Sequence, residues 1–206
     1  MIAWTVRAAI ECPELTHTFV ISDGEHIRNI GQQYGAQVIV EPKKLGGART
    51  YNHEIMSFAL NRITALGIKP DILLWLQPTS PQRTARDISK ALSLFNNPEV
   101  DAVNSVCESD NKLLKSFIRK DGYLRFLSSE PWPFILRELL PKTYMSNGAI
   151  MAIRAKVFKK TERLYAERLV PYVMSAERSI DIDYKEQALQ AERQMRRDKN
   201  TLVRPN

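Results

Sequence analysis

The sequence predicts an α/β fold built on a mainly parallel sheet sandwiched by helices, and three observations carry that expectation. Short apolar runs alternate strictly with amphipathic stretches over the first half of the chain. The amphipathic stretches keep helical spacing, as in Ile88, Ala91, Leu92 and Phe95 at i, i+3, i+4 and i+7. The rhythm then breaks at a single place, where Asp121-Gly122 sits between two alternating runs.

Taken in order, Ile2, Val6, Ala9 and Ile10 form one helical face, and "TFVIS" (18–22) reads as a buried strand. Ile27, Ile30, Gly31 and Tyr34 return to helical spacing before the strand "QVIV" (37–40). Ile55, Phe58, Ala59 and Ile63 form the next helix, followed by the strand "DILLWLQ" (71–77), the helix around Ile88 and the strand "DAVNSV" (101–106). In "KSFIRKDGYLRF" the Asp121-Gly122 pair is a hairpin turn, so residues 108–145, with the aromatic cluster "SSEPWPF", form an insertion on the main layer. The core resumes with "NGAIMAI" (147–153), a helix near 155–164, "VPYV" (170–173) and a tail helix that buries Tyr184, Ala188, Ala191 and Met195. Residues 1–206 read as one domain without internal repeats. The chain opens inside a helix, whereas a doubly wound sheet normally starts strand, phosphate loop, helix.

A content of 44% hydrophobic and 26% charged residues is that of a globular chain. No apolar run approaches the roughly 18 to 20 residues that span a bilayer, and the first residues lack the flanks of a secretory signal, so a cytoplasmic location and no membrane partner are expected. Cys12 and Cys107 are far apart and lack Cys or His neighbours at ligand spacing, which argues against zinc and against a disulfide framework. The net charge of +7 favours anionic partners such as nucleotides and sugar acids. Nucleic acid is not expected, because the basic residues are scattered and no stacking motif accompanies them.

Two stretches carry chemistry. In "LQPTSPQRTARDI" (76–88), Gln77 lies at the C-terminal end of a predicted strand, where open α/β sheets bind ligands. Thr79, Ser80, Gln82 and Arg83 add hydroxyl, amide and guanidinium donors, while Thr84 and Asp87 have the spacing of a capping box for the next helix. In "RSIDIDY" (178–184), an extended backbone turns Asp181 and Asp183 to the same side. Asp183 with Glu186 fits a cap for the tail helix, which leaves Asp181 unexplained; a divalent cation such as Mg²⁺ would account for both carboxylates.

In order and spacing, "LLWLQPTSPQRTARDISKAL", "NGAIMAI" and "VPYVMSAERSIDIDYKEQALQAE" resemble the acylneuraminate cytidylyltransferase family, the CMP-sialic acid synthetases and their relatives that act on other nonulosonic acids. The similarity runs from Ile2 to about Glu192. The resemblance implies a Rossmann-like core with a dimerisation insertion at 108–145, and hence a homodimer. It implies transfer of CMP from CTP to the anomeric hydroxyl of a nine-carbon sugar acid, with release of pyrophosphate. Asp181 and Asp183 would then hold Mg²⁺ and serve catalysis, while Gln77, Ser80, Lys115, Arg137 and Asn147 would bind substrate, the basic pair near the acid's carboxylate.

Departures accompany the matches. The family opens with a strand and a phosphate-holding loop resembling "PARGGSKGIPRKN", and this chain starts just after it; "LGGAR" (45–49) has paired glycines but no phosphate-cradle signature. Glu41 stands where the family usually has Arg before Pro42, a charge reversal unfavourable to a triphosphate, and Met145 stands where Arg is common. Two expectations stay open: an active enzyme whose native chain is longer, or a catalytically silent paralogue that binds the sugar or pairs with a complete homologue.

Overall fold

The computed structural model describes residues 1–47 and 50–197, so Ala48 and Arg49 of the "LGGAR" stretch lie outside the described residues. The alternation read from the sequence becomes α1 (Ile2–Ile10), β1 (Phe19–Ser22), α2 (Glu25–Gln33), β2 (Gln37–Val40), α3 (Asn52–Ala65), β3 (Ile72–Trp75), α4 (Ala85–Ser93) and β4 (Ala102–Ser109). After the insertion come β7 (Thr143–Arg154), α5 (Ala155–Thr161), β8 (Leu169–Val173) and α6 (Lys185–Arg197). Thr84 caps α4 as its spacing predicts: its hydroxyl accepts from Asp87 N, and the Asp87 carboxylate accepts from Thr84 N.

The α/β architecture holds, with parallel pairing in both sheets of the core. β1 and β2 pair in parallel from Phe19↔Gln37 to Ser22↔Val40. A four-stranded sheet runs β3-β7-β4-β8, with β4 and β8 parallel and β7 antiparallel to both of its neighbours. β7 takes that direction because it returns from the insertion straight along β4, as the pairs Cys107↔Met145 and Ser109↔Thr143 show.

Helices cover both faces. On one, Ala8 of α1, Cys12 just after it and Ile88 and Ala91 of α4 pack with Val103, Ala149 and Ile150. On the other, Met56 and Leu60 of α3 and Phe158 of α5 pack against Leu73, Ala102 and Ile153. Val6, Val20 and Ala36 form a smaller cluster under β1. Such burial on both faces explains why these strands read as near-continuous apolar runs.

Within the insertion, β5 (Phe117–Lys120) and β6 (Tyr123–Phe126) form the predicted antiparallel hairpin. Its turn residues take positive φ, 54° at Asp121 and 83° at Gly122, the left-handed pair that a two-residue turn requires. Phe117, Phe126 and Phe134 group their rings with centroids 5.8 to 6.5 Å apart, while Tyr123, Leu124 and Leu136 stand exposed. The tail helix buries Ala191 as expected, but Tyr184 precedes it and is 70% exposed. Among the described residues no helix is long and apolar enough to cross a membrane.

Candidate active site

The loop that follows β3 is fixed from beneath by a buried cation. Arg83 is 1% exposed and donates through Nη1 to Gln77 O (3.2 Å) and Ala149 O (2.6 Å). It thereby clamps the strand end to β7. Burial pushes the Arg83 guanidinium down to about 10, and the Asp87 charge pulls the other way. Nε and Nη2 have no partner among the described residues.

Opposite this loop, β7 departs from regular pairing. Asn104 pairs with Met151 and Val106 with Ser146, so residues 147–150 bulge against Ser105 alone. The Ser105 hydroxyl donates to Asn147 Oδ1 (2.5 Å) and accepts from Ile150 N (2.7 Å), filling the bulge. Gly148 takes a φ of +69°, and a Cβ there would lie 2.3 Å from Gln77 Oε1. Glycine therefore lets the Gln77 amide lie against the backbone at the strand end. Ser80 and Asn147 are buried beneath: Ser80 Oγ donates to Asn147 O (2.9 Å), and Asn147 Nδ2 donates to Ser179 Oγ (2.9 Å).

The carboxylate segment is tied to the same loop. Ile182 N donates to Thr79 O (2.9 Å) and Ile180 N to Gln82 Oε1 (3.4 Å). Gln82 Nε2 donates in turn to Glu177 O (2.8 Å) and to Gln194 Oε1 (3.0 Å) of α6. Arg178 pairs with the buried Asp87, which also accepts from Tyr172 OH (2.9 Å) and Thr84 Oγ1 (2.6 Å). Desolvation is the largest influence on Asp87 and raises it, yet the hydrogen bonds from Arg178 and Thr84 together hold the carboxyl below its ordinary value. Burial and the Asp87 carboxylate push the Tyr172 phenol up. Gln82 and Arg83, which the sequence offers as ligand donors, are thus buried: Gln82 is engaged with Glu177 and Gln194, and Arg83 binds Gln77 O and Ala149 O through Nη1 alone.

Two carboxylates stand on this frame. Asp181 Oδ1 is buried with no hydrogen-bond partner among the described residues, a costly state unless a donor or cation meets it. The expected cap of α6 by Asp183 and Glu186 does not form. Gln187 Oε1 accepts from both Asp183 N and Tyr184 N at 2.8 Å, which leaves the exposed Asp183 carboxylate free of capping. No group of three His, Cys, Asp or Glu able to hold a metal occurs among the described residues. An Asp181–Asp183 pair fits a hard cation such as Mg²⁺, which takes one or two carboxylates and completes its shell with waters and phosphate oxygens.

The structure therefore gathers Gln77, Ser80, Asn147 and Asp181 around one strand end, with Asp183 on the attached segment. Lys115 and Arg137 lie in the insertion, where Lys115 Nζ donates to Ile135 O (2.7 Å) and the exposed Arg137 lies 3.9 Å from Asp110. No hydrogen bond or ion pair among the described residues joins either to Gln77 or Asp181. At the end of β2, Glu41 Oε1 is buried without a partner among the described residues, and burial, then the Asp23 charge, push its carboxyl up. Sequence reasoning missed the frame of Arg178, Asp87 and Ser105; only the Asn147-Gly148 pair inside a strand signalled the bulge.

Known proteins resemble this chain in sequence and in fold. The chain is 27% identical over 186 residues to the N-acylneuraminate cytidylyltransferase of Escherichia coli O18:K1:H7 (strain RS218 / NMEC), matching 89% of this chain and 43% of that protein. It is 26% identical to the enzyme of the same name from Streptococcus agalactiae serotype V (strain ATCC BAA-611 / 2603 V/R), again over 89% of this chain and 44% of the other. The chain thus spans less than half the length of these relatives. Among solved structures, a CMP:2-keto-3-deoxy-manno-octonic acid synthetase complexed with CTP superposes with a TM-score of 0.66 at 12% identity, covering 95% of this chain and 88% of that one. At that identity the likeness shows the fold. The description of the cytidylyltransferase family matches residues 1–198, which include the loop after β3, the β7 bulge and both carboxylates; the chain belongs to the cytidylyltransferase family.

Proposed function

We propose that this chain transfers a cytidylyl group from CTP to a nonulosonic, sialic-type acid. The observation that carries the reading is the buried Asp181 Oδ1, without a partner among the described residues, two positions before Asp183 on a segment fastened to the loop after β3 that presents Gln77. In the reaction the anomeric hydroxyl oxygen of the acid bonds to the α-phosphorus of CTP, the bond from that phosphorus to the bridging oxygen breaks, and pyrophosphate leaves as the hydroxyl proton is lost. Asp181 and Asp183 would hold Mg²⁺, which when bound would neutralise phosphate charge and ease ionisation of the attacking hydroxyl. Gln77 orients the sugar, with Ser80 and Asn147 fixing the backbone behind it. Lys115 and Arg137 of the insertion supply cations for the acid's carboxylate. The exposed apolar residues of the hairpin are the contact surface of a homodimer. The setting is the cytoplasm. The sialic-type acid is favoured by the names of the sequence relatives, with an eight-carbon acid of the kind named for the structural neighbour as the competing substrate.

A second reading, a catalytically silent partner that keeps the sugar pocket, is favoured by Glu41, whose buried carboxyl beside Asp23 repels a triphosphate. Pyrophosphate release measured with CTP, Mg²⁺ and a panel of nine- and eight-carbon keto acids separates the readings. Turnover that is lost in Asp181→Asn supports the transferase. Sugar binding by calorimetry without turnover supports the silent partner and overturns the first reading.

A further inference from the structure

A buried amide joins the loop after β3, the carboxylate segment and α6. Gln82 is 5% exposed, and both ends of its side chain are engaged. Nε2 donates to Glu177 O (2.8 Å) and to Gln194 Oε1 (3.0 Å), while Oε1 accepts from Ile180 N (3.4 Å). Acceptors on one side and a backbone N–H on the other admit a single orientation of the amide. Asp181 follows Ile180, and the residue after it is held as well, because Ile182 N donates to Thr79 O (2.9 Å). Asp181 therefore stands between two backbone amides that both bond to the same loop. One partner is the Thr79 carbonyl and the other is the Gln82 side chain, which takes the place a neighbouring strand's carbonyl has in regular pairing. Held by Thr79 alone, the backbone before Ile182 could pivot about that bond and swing the Asp181 carboxylate with it.

The second observation concerns α6. Gln187, Ala191 and Gln194 lie at i, i+4 and i+7 and share one helix face. Among the described residues of α6 only Ala191 is buried, so the helix is seated by a small side chain with a glutamine on either side of it. Gln187 Oε1 accepts from Asp183 N and Tyr184 N, and Gln194 meets Gln82. The same face thus reaches the second carboxylate residue directly and the first by way of Gln82. Arg178 reaches the Gln82 carbonyl (3.1 Å), a backbone contact that any side chain at position 82 leaves available, so docking of the segment does not depend on the amide.

We propose that Gln82 is a positioning residue for Asp181, braced by Gln194 of α6, and that this brace sets the two carboxylates for a divalent cation. The proposal rests on the reading of Asp181 and Asp183 as cation ligands given above. Asp181 Oδ1 has no partner among the described residues, so its aim is set by the backbone that carries it. A small hard cation demands near-ideal octahedral geometry and tolerates little displacement of a carboxylate. Residues that orient a ligand from behind therefore weaken metal binding when lost, beyond their effect on stability.

The test compares the full chain with Gln82→Met, Gln194→Met, Gln194→Glu and Asp181→Asn. Binding of Mn²⁺ alone is read by water-proton relaxation, and amide hydrogen exchange is followed without metal. Methionine keeps the length of the Gln82 side chain and removes both ends of the bridge. Gln82→Met is expected to weaken Mn²⁺ binding by about tenfold or more. It is expected to speed exchange of the Ile180 amide by about tenfold while Ile182 stays as slow as in the parent. Gln194→Met should move both readouts the same way by a smaller factor, and it carries the test if Gln82→Met does not fold. Gln194→Glu keeps an acceptor for Gln82 Nε2 and should restore the parent values. The proposal is overturned if Gln82→Met binds Mn²⁺ like the parent while Asp181→Asn does not, or if Ile180 and Ile182 speed up together. It is equally overturned if Gln194→Glu behaves like Gln194→Met. If the parent and Asp181→Asn respond to Mn²⁺ alike, the cation reading of the carboxylates falls first and this one with it.

Discussion

Replacing Arg178 by methionine asks whether the polar frame, and not the sheet alone, holds the carboxylate segment in place. Arg178 donates to Asp87 Oδ1 at 3.2 Å, makes a closer contact with Oδ2 and reaches Gln82 O at 3.1 Å. Asp87 is 4% exposed, so the variant strands a buried carboxylate. Breaking a buried pair costs about 3–5 kcal/mol. Here the Arg178 side chain is 29% exposed, and Thr84 N, Thr84 Oγ1 and Tyr172 OH still donate to Asp87, which reduces the expected loss to about 2–3 kcal/mol. For a chain of this length that corresponds to a fall in Tm of about 4–12 °C. The pH dependence separates this cause from a packing defect. In the parent, the depressed Asp87 pKa contributes stability that is full above the unfolded carboxyl value and is lost as pH falls through the folded one. In the variant Arg178 no longer opposes desolvation, so the carboxyl shifts up from its value in the parent while the Thr84 hydrogen bonds still hold it down, and less of that stability is left to lose in acid. Thermal melts at pH 7 and at about pH 4 should therefore show the deficit shrinking in acid. A loss below about 1 kcal/mol at pH 7, or an equal deficit at both pH values, refutes the reasoning.

Other outcomes follow from single features of the site. Asp181→Asn should leave stability without Mg²⁺ unchanged or higher by up to about 1 kcal/mol and abolish Mg²⁺ binding, read by melts with and without the ion. Ser105→Ala leaves Asn147 Oδ1 and Ile150 N short of a fully buried partner, for a loss of about 1–3 kcal/mol by denaturant titration. Gly148→Ala must adopt a left-handed backbone at a cost of about 1–2 kcal/mol and displace Gln77, so the KM for the sugar acid should rise more than the melt falls. Leu124→Glu on the exposed hairpin should shift sedimentation from dimer to monomer at unchanged Tm.

Helix and strand order was legible because each element buries one stripe or one run, and burial writes periodicity into the sequence: Ile88 and Ala91 of α4, and Phe95 in the turn that follows it, all reach the core. The hairpin was legible because its turn needs residues that tolerate positive φ, and Asp121-Gly122 supplies them. What sequence could not show depends on contacts far apart in the chain. Arg83 and Gln82 look like ligand donors until burial reveals that they hold Ala149 and Glu177. The cap of α6 was misplaced because Asp183 and Gln187 are both plausible from spacing, and only the backbone path selects Gln187. The antiparallel course of β7 was hidden for a related reason: a strand buried on both faces has the same apolar pattern in either direction.

The length of β7 bears on how this protein can be re-engineered. Its first residues pair with the outer end of β4 beside the insertion, and its last ones pair with β3 at the heart of the core, with no loop between the two roles. The stretch 108–145 is therefore not a cassette that can be exchanged whole at its ends, because both ends fall inside strands, in β4 and in β7. A graft must bring the outer halves of β4 and β7 with it and preserve the register on both sides of Ser105. A shift of one residue in the donor ribbon would rotate Gly148 away from Gln77 and turn the buried row of β7 toward water.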